Sequence, residues 1–233
     1  CGFVYIKADI GITKINSSGD TEWDYAYSNS EISTLSIDDI QQTDDNGFIV
    51  TGFGYESDWS GTKLLLIKLS NTGNEEWSYL WEPTEWAENG AAGLSIVQTV
   101  DGGYAVTGSV YTGDAGNEMS LFKFNSDGSL DWYETYYNSW NDDGLDLEQT
   151  NDNGFILTGY KGISTNNADL WVIKTDSNGN VDWSNILGGS NYDVGYDVEQ
   201  TTDGGYIITG AQDAANSWDE EGSDIWLLKL DVN

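Results

Sequence analysis

The chain has 233 residues, 40 acidic side chains against eight lysines and no arginine, and a formal net charge of −32. Phosphate backbones are held by Lys and Arg, so this balance excludes nucleic acid as a partner and disfavours anionic membrane surfaces. With no histidine and one cysteine, a Ser-His or Cys-His nucleophile pair, a His/Cys zinc site and an internal disulfide are all excluded.

Gly2–Lys7 opens the chain as an apolar, strand-like run. From there the sequence repeats. Lys14, Lys68, Lys123, Lys174 and Lys229 recur every 51 to 55 residues, and Trp23, Trp77, Trp132 and Trp183 each trail such a lysine by nine. Gln-Thr pairs at 42–43, 98–99, 149–150 and 200–201 keep the same period, as do the Thr-Gly pairs ending at Gly52, Gly108, Gly159 and Gly210. Each unit holds four short runs, A to D, parted by Asp-Gly-Gly, Asp-Asn-Gly or Ser-Asn-Gly turns. Such turns supply the positive φ of tight hairpins. The expected strands include 47–53, 64–69, 104–109, 121–125, 155–160, 170–175, 205–211 and 225–230. No segment sustains a 3.6-residue period, and the C runs are nearly continuous in apolar residues, as in a sheet covered on both faces.

Four-stranded units of this length read as blades of an all-β propeller. The expected domain is one propeller over 1–233, with repeats near 9–61, 62–117, 118–168 and 169–223 and a partial one at 224–233. C runs occur five times and A and D runs four times, which gives five blades with the first and last incomplete. Four closed blades, or a piece of a larger propeller, are the alternatives.

Asp176-x-x-Gly179-x-x-x-Trp183 resembles the tryptophan-docking repeat of PQQ-type quinoprotein propellers, and Asn16…Gly19…Trp23, Ser70…Gly73…Trp77 and Asn125…Gly128…Trp132 fit it with a changed first position. The resemblance implies that Trp23, Trp77, Trp132 and Trp183 sit on outer strands and wedge between blades. It does not carry the quinone cofactor across, because that site uses paired cysteines and binds a tricarboxylate. The DGGY-I-I-T-G and D-I-W-L-x-K segments are also similar to repeats of secreted bacterial and archaeal surface proteins, which implies an extracellular or cell-surface location. Cys1 is a candidate lipid anchor, or simply a boundary.

Repetition argues for architecture, and the recurrent lysines are expected to pair with carboxylates of a neighbouring strand or blade. Aligned Asp39, Asp146 and Asp197, with Ser95 in the remaining copy, could ring the axis and hold a calcium ion, or only line a solvated tunnel mouth. The C–D turns also alternate oxygen-bearing residues, at Asn125, Asp127, Ser129 and Asp131 and at Asp176, Asn178, Asn180 and Asp182. There the glycine falls at the fourth position rather than the sixth, so they read as hairpin turns.

Five tryptophans break the period: Trp59 and Trp218 in B–C loops, and Trp81, Trp86 and Trp140 in D–A connections. Those connections emerge at one end of every blade. With Glu85 and Asp142 beside them, they form a candidate ligand face suited to sugars, which combine apolar CH faces with hydroxyl rims. The expected function is non-catalytic binding of a glycan or a surface protein. The alternatives are a structural subunit of a surface layer, appendage or filament, assembling through its terminal blades, and a carboxylate-pair glycosidase.

Overall fold

A computed structural model describes residues 9–56, 61–82, 90–113, 116–136, 141–164, 167–214 and 223–231. The described chain is all β, in five antiparallel sheets. The first pairs β1 (Asp9–Ile15) with β2 (Thr21–Ser28). The second orders β3 (Ile32–Gln42), β4 (Phe48–Glu56), β5 (Thr62–Leu69) and β6 (Glu75–Trp81). The third comprises β7 (Ala91–Gln98), β8 (Tyr104–Tyr111), β9 (Asn117–Phe124) and β10 (Leu130–Tyr136). The fourth comprises β11 (Asp142–Gln149), β12 (Phe155–Ser164), β13 (Asn167–Thr175) and β14 (Val181–Leu187). The fifth has three strands, β15 (Tyr192–Gln200), β16 (Tyr206–Ala214) and β17 (Asp224–Leu230). Chain order is spatial order within each sheet, so every run expected as A, B, C or D takes that place. The Gly2–Lys7 run lies outside the described residues.

The A–B turns explain the lysine period. Thr43 Oγ1 (2.5 Å) and Gly47 N (2.8 Å) donate to Asp45 Oδ1, and Lys68 reaches Asp45 from the C strand at 2.8 Å. The same clamp recurs as Thr99/Asp101/Lys123, Thr150/Asp152/Lys174 and Thr201/Asp203/Lys229. Asn46, Gly102, Asn153 and Gly204 take φ of 64°, 82°, 66° and 83° to close these turns, which is why Asn or Gly stands there. The expected pairing of the repeated lysines with carboxylates is found in the second to fifth sheets between the C strand and the A–B turn, and in the first sheet between Lys14 and Glu22 of β2 at 2.7 Å. Each clamp holds its carboxyl at about 2. For Asp45 and Asp203 the leading causes are hydrogen bonds, from Lys68 and from Thr201. For Asp101 and Asp152 burial pushes upward, but the donors around them outweigh it.

Successive sheets pack face to face, and the apolar C runs point both ways. Leu64 and Leu66 meet the third sheet through Ala91, Ile96, Tyr104 and Phe122. Leu65, Ile67 and Leu69 meet Ile10, Ile12 and Tyr27 of the first. The close approach is set on the B strand, where Thr51, Thr107 and Thr158 face Gly93, Gly144 and Gly195 of the following sheet. A Cβ on any of these glycines would overlap the threonine Oγ1.

The periodic tryptophans bridge the same seams. Trp23 lies 5.6 Å from Phe48 and donates Nε1 to Asn71 O at 3.2 Å. Trp77 lies 5.8 Å from Tyr104, Trp132 6.4 Å from Phe155 and Trp183 5.7 Å from Tyr206, each ring belonging to the next sheet. Gly73, Gly128 and Gly179 lie under the first three indoles and leave no room for a Cβ. All four tryptophans are half-buried. Trp132→Ala is therefore expected to cost about 3 kcal/mol, at the low end for a buried aromatic because one edge stays solvated. An unchanged denaturant midpoint would refute the bridging role.

Candidate functional site

One column of A-strand residues differs from sheet to sheet: Asp38, Leu94, Leu145 and Tyr196. These four line a cavity of about 770 Å³. Its walls are aromatic. Phe53 and Tyr55 come from the end of β4, Tyr111 from β8 and Tyr160 from β12. Strand alternation places Phe53 and Tyr55 on one face, and their rings meet edge to face at 5.6 Å. The glycines Gly61 and Gly90 and the residues Thr62 and Asn117 complete the mouth. Gly61, Thr62, Gly90 and Asn117 sit where B–C and D–A connections meet the sheets, the end on which the sequence places its unscheduled tryptophans.

Polar groups stand among the rings. Asp143 accepts a short hydrogen bond from the Tyr160 hydroxyl and a longer one, 3.4 Å, from Asn117 Nδ2. Burial raises the Tyr160 phenol, and the Asp143 carboxylate raises it further. Burial also raises Asp38, against a hydrogen bond from Ser36. Tyr55, Tyr111 and Tyr196 keep 38, 41 and 46% of their surface in solvent.

The aligned acids adjoin this column, one residue further along the A strands. Ser95 Oγ lies 2.9 Å from Asp146 Oδ1 and 3.4 Å from Asp39 Oδ2. Asp39 also accepts from Ile96 N at 2.9 Å, and Asp146 from Val198 N at 2.8 Å. These carboxylates therefore staple one inner strand to the next. Burial pushes Asp146 up to about 6, despite those donors, with Asp197 adding to the rise. Among the described residues no three His, Cys, Asp or Glu side chains gather where they could hold a metal.

The structure relocates two of the expected ligand residues. Trp81 lies within β6 rather than in a connection, and its ring packs 5.1 Å from Phe122 and 5.2 Å from Tyr133. The strand runs further than the sequence pattern implied because Trp81 pairs with Leu64, so its indole belongs to the core between sheets. Asp142 is no rim group either. It is fully buried on β11, with Oδ1 accepting from Gly162 N at 2.8 Å and Oδ2 without a hydrogen-bond partner. Burial pushes its carboxyl to about 7, with the charges of Glu118 and Asp143 adding to the rise. Trp59, Glu85, Trp86, Trp140 and Trp218 lie outside the described residues. The tyrosines of the cavity were not singled out by sequence. The available signal was Tyr196, which departs from its own repeat column just as the tryptophans depart from theirs.

No family model matches the chain, and no curated protein matches it. Among solved structures it is similar to a candidate exo-β-1,3-galactanase from Bifidobacterium bifidum, at TM-score 0.46 and 10% identity over 86% of this chain and 67% of that one. It is also similar to a hypothetical protein from Leishmania major, at TM-score 0.33 and 7% identity over 84% and 85%. Both likenesses are too distant to bear on function.

The carboxyls fix a pH profile. Asp142 and Asp146, held at about 7 and 6, titrate below 4 in an unfolded chain. The folded state therefore binds more protons between about pH 4 and 7, and stability falls as pH rises through that window. The clamp aspartates, held at about 2, act oppositely, and their contribution is lost as pH falls below about 4. Chemical denaturation should show greatest stability near pH 4, and Asp146→Asn should flatten the fall between pH 5 and 7. A midpoint that climbs steadily to pH 7 would contradict this assignment.

Proposed function

We propose that the sheets are five blades of a β-propeller, the first and last incomplete, whose pocketed end binds a neutral glycan without catalysing its cleavage. The blade reading is supported by the order of the sheets and by their face-to-face packing. Ile37 argues against closing four blades. It stands where the later sheets carry Gly93, Gly144 and Gly195, and a side chain there blocks the approach of a B-strand threonine. The tryptophan-docking resemblance agrees with the four indole bridges. The likeness to secreted surface-protein repeats supports a location outside the cell.

The observation that carries the binding reading is the cavity itself. Its volume suits a small ligand or a few sugar units. Tyrosine faces suit the CH faces of pyranose rings, while Asp38, Asp143 and Asn117 offer acceptors and donors to hydroxyls. The net charge of −32 repels uronates and sulfated chains at long range, which favours neutral glycans. A non-catalytic role fits the hydrogen bonds of Asp143, which commit it to Tyr160 and Asn117.

Affinity electrophoresis through gels containing neutral polysaccharides tests the reading. At least one neutral polysaccharide should retard the protein. The Tyr55→Ala/Tyr196→Ala double variant should lose at least tenfold in affinity, with its unfolding midpoint little changed. Absence of retardation across neutral glycans, or retention by the double variant, would overturn the proposal. Release of reducing ends from any of these polysaccharides would favour the glycosidase reading instead.

A further inference from the structure

The forward face of a sheet, the one turned to its successor, carries equivalent side chains in the second to fifth sheets, and in the second, third and fourth it is covered. In the second, third and fourth sheets, Thr51, Thr107 and Thr158 are fully buried, as are Leu64, Met119 and Leu170 and also Leu66, Leu121 and Val172. The clamp lysines of these sheets keep 3, 8 and 4% of their side-chain surface. In the fifth sheet the corresponding Thr209 is exposed, Ile225 is 96% exposed, Leu227 is 64% exposed and the Lys229 side chain is 37% exposed. The outer edge of β17 pairs with no described strand.

The three covered faces define what fits such a surface. The covering sheet places a glycine of its first strand against the threonine: Gly93, Gly144 or Gly195. Three residues later it buries an apolar side chain, Ile96, Leu147 or Val198, and its second strand opens with Tyr104, Phe155 or Tyr206. No described sheet has this complement to spare. The rear of the second sheet carries Ile37 in the glycine position and is already packed against the first. The rear of the first sheet shows Gly11, Thr13 and Ile15 where the second has Leu65, Ile67 and Leu69, and Thr13 Oγ1 donates to Asp24 at 2.8 Å. Exposed Ile15 apart, that surface is polar and small. A second copy of this chain stacked end to end would therefore set a polar rear against an apolar front.

We infer that the exposed face of the fifth sheet, built from Thr209, Ile225, Leu227 and Lys229, is a docking surface for a further antiparallel sheet of this same repeat, with glycine opposite Thr209. The inference is independent of glycan binding, which uses the pocketed end rather than this face. The incoming unit supplies a strand along β17 with a carboxylate for Lys229, as Glu76 lies 3.2 Å from Lys68 and Asp182 3.7 Å from Lys174. Its inner strand then covers Ile225 and Leu227.

The test is a chain in which a second copy of residues 177–231 follows Asp231, preserving the register of the repeat. The extended protein should unfold in one transition at higher denaturant than the parent. Leu227→Asp should leave the parent's midpoint unchanged and lower that of the extended protein. Valine in place of the glycine that copies Gly195 should remove the gain. An extended protein with the parent's midpoint, or with added strands that hydrogen exchange shows to be unstructured, would overturn the inference. So would a parent that sediments as a dimer which Leu227→Asp dissociates, because the face would then belong to a second copy.

Discussion

Everything in this chain depends on sheets approaching closely enough for a threonine to rest on a bare backbone. The Thr-on-Gly contacts set the spacing at three successive seams. Two apolar rows of the C strands β5, β9 and β13 are buried because that spacing is met. A Cβ at the glycine would separate the faces and strip Leu64, Met119 or Leu170 of its neighbours, converting one steric clash into the loss of a whole core. The same approach brings inner strands within hydrogen-bonding reach. Gln98, Gln149 and Gln200 accept from backbone N–H groups of Asp44, Val100 and Asn151 across the seams. The repeated glutamine is thus a joint between sheets rather than a site.

The lysine clamps perform a different task. A buried ammonium needs compensation, and each receives it from a turn aspartate and from the carbonyl one residue on, at 3.2 Å for Lys68 and 2.7 Å for Lys174. The aspartate in turn orders the A–B turn through its threonine and its glycine N–H. One residue type therefore ties the C strand to the turn that opens its neighbouring B strand. That is why lysine recurs on schedule in a chain that otherwise avoids positive charge.

Strand order, turn positions and the bridging indoles were legible in the sequence because each rests on a contact repeated in every copy. The pairing of lysine with aspartate was legible for the same reason. The cavity was not. Its tyrosines occupy positions that differ between the repeats, and whether such an aromatic faces solvent, a neighbour or a cleft depends on the twist of several sheets together. Trp81 shows the converse error. Its absence from the periodic pattern suggested a loop, yet one additional strand pair carried it into the core between sheets. Asp142 was misread because a carboxylate beside a loop looks solvated in sequence, whereas the return of β12 closes over it.

The clamps also govern how other enzymes meet this protein. A protease that cleaves after basic residues finds no arginine anywhere in the chain. Lys68, Lys123 and Lys174 are sealed between faces and held in regular strands, where a backbone cannot enter a protease cleft without local unfolding. The residues that bind the turns together are thus the residues such digestion would need, and folding removes them from reach. Resistance to digestion at these three lysines follows from the seam packing itself.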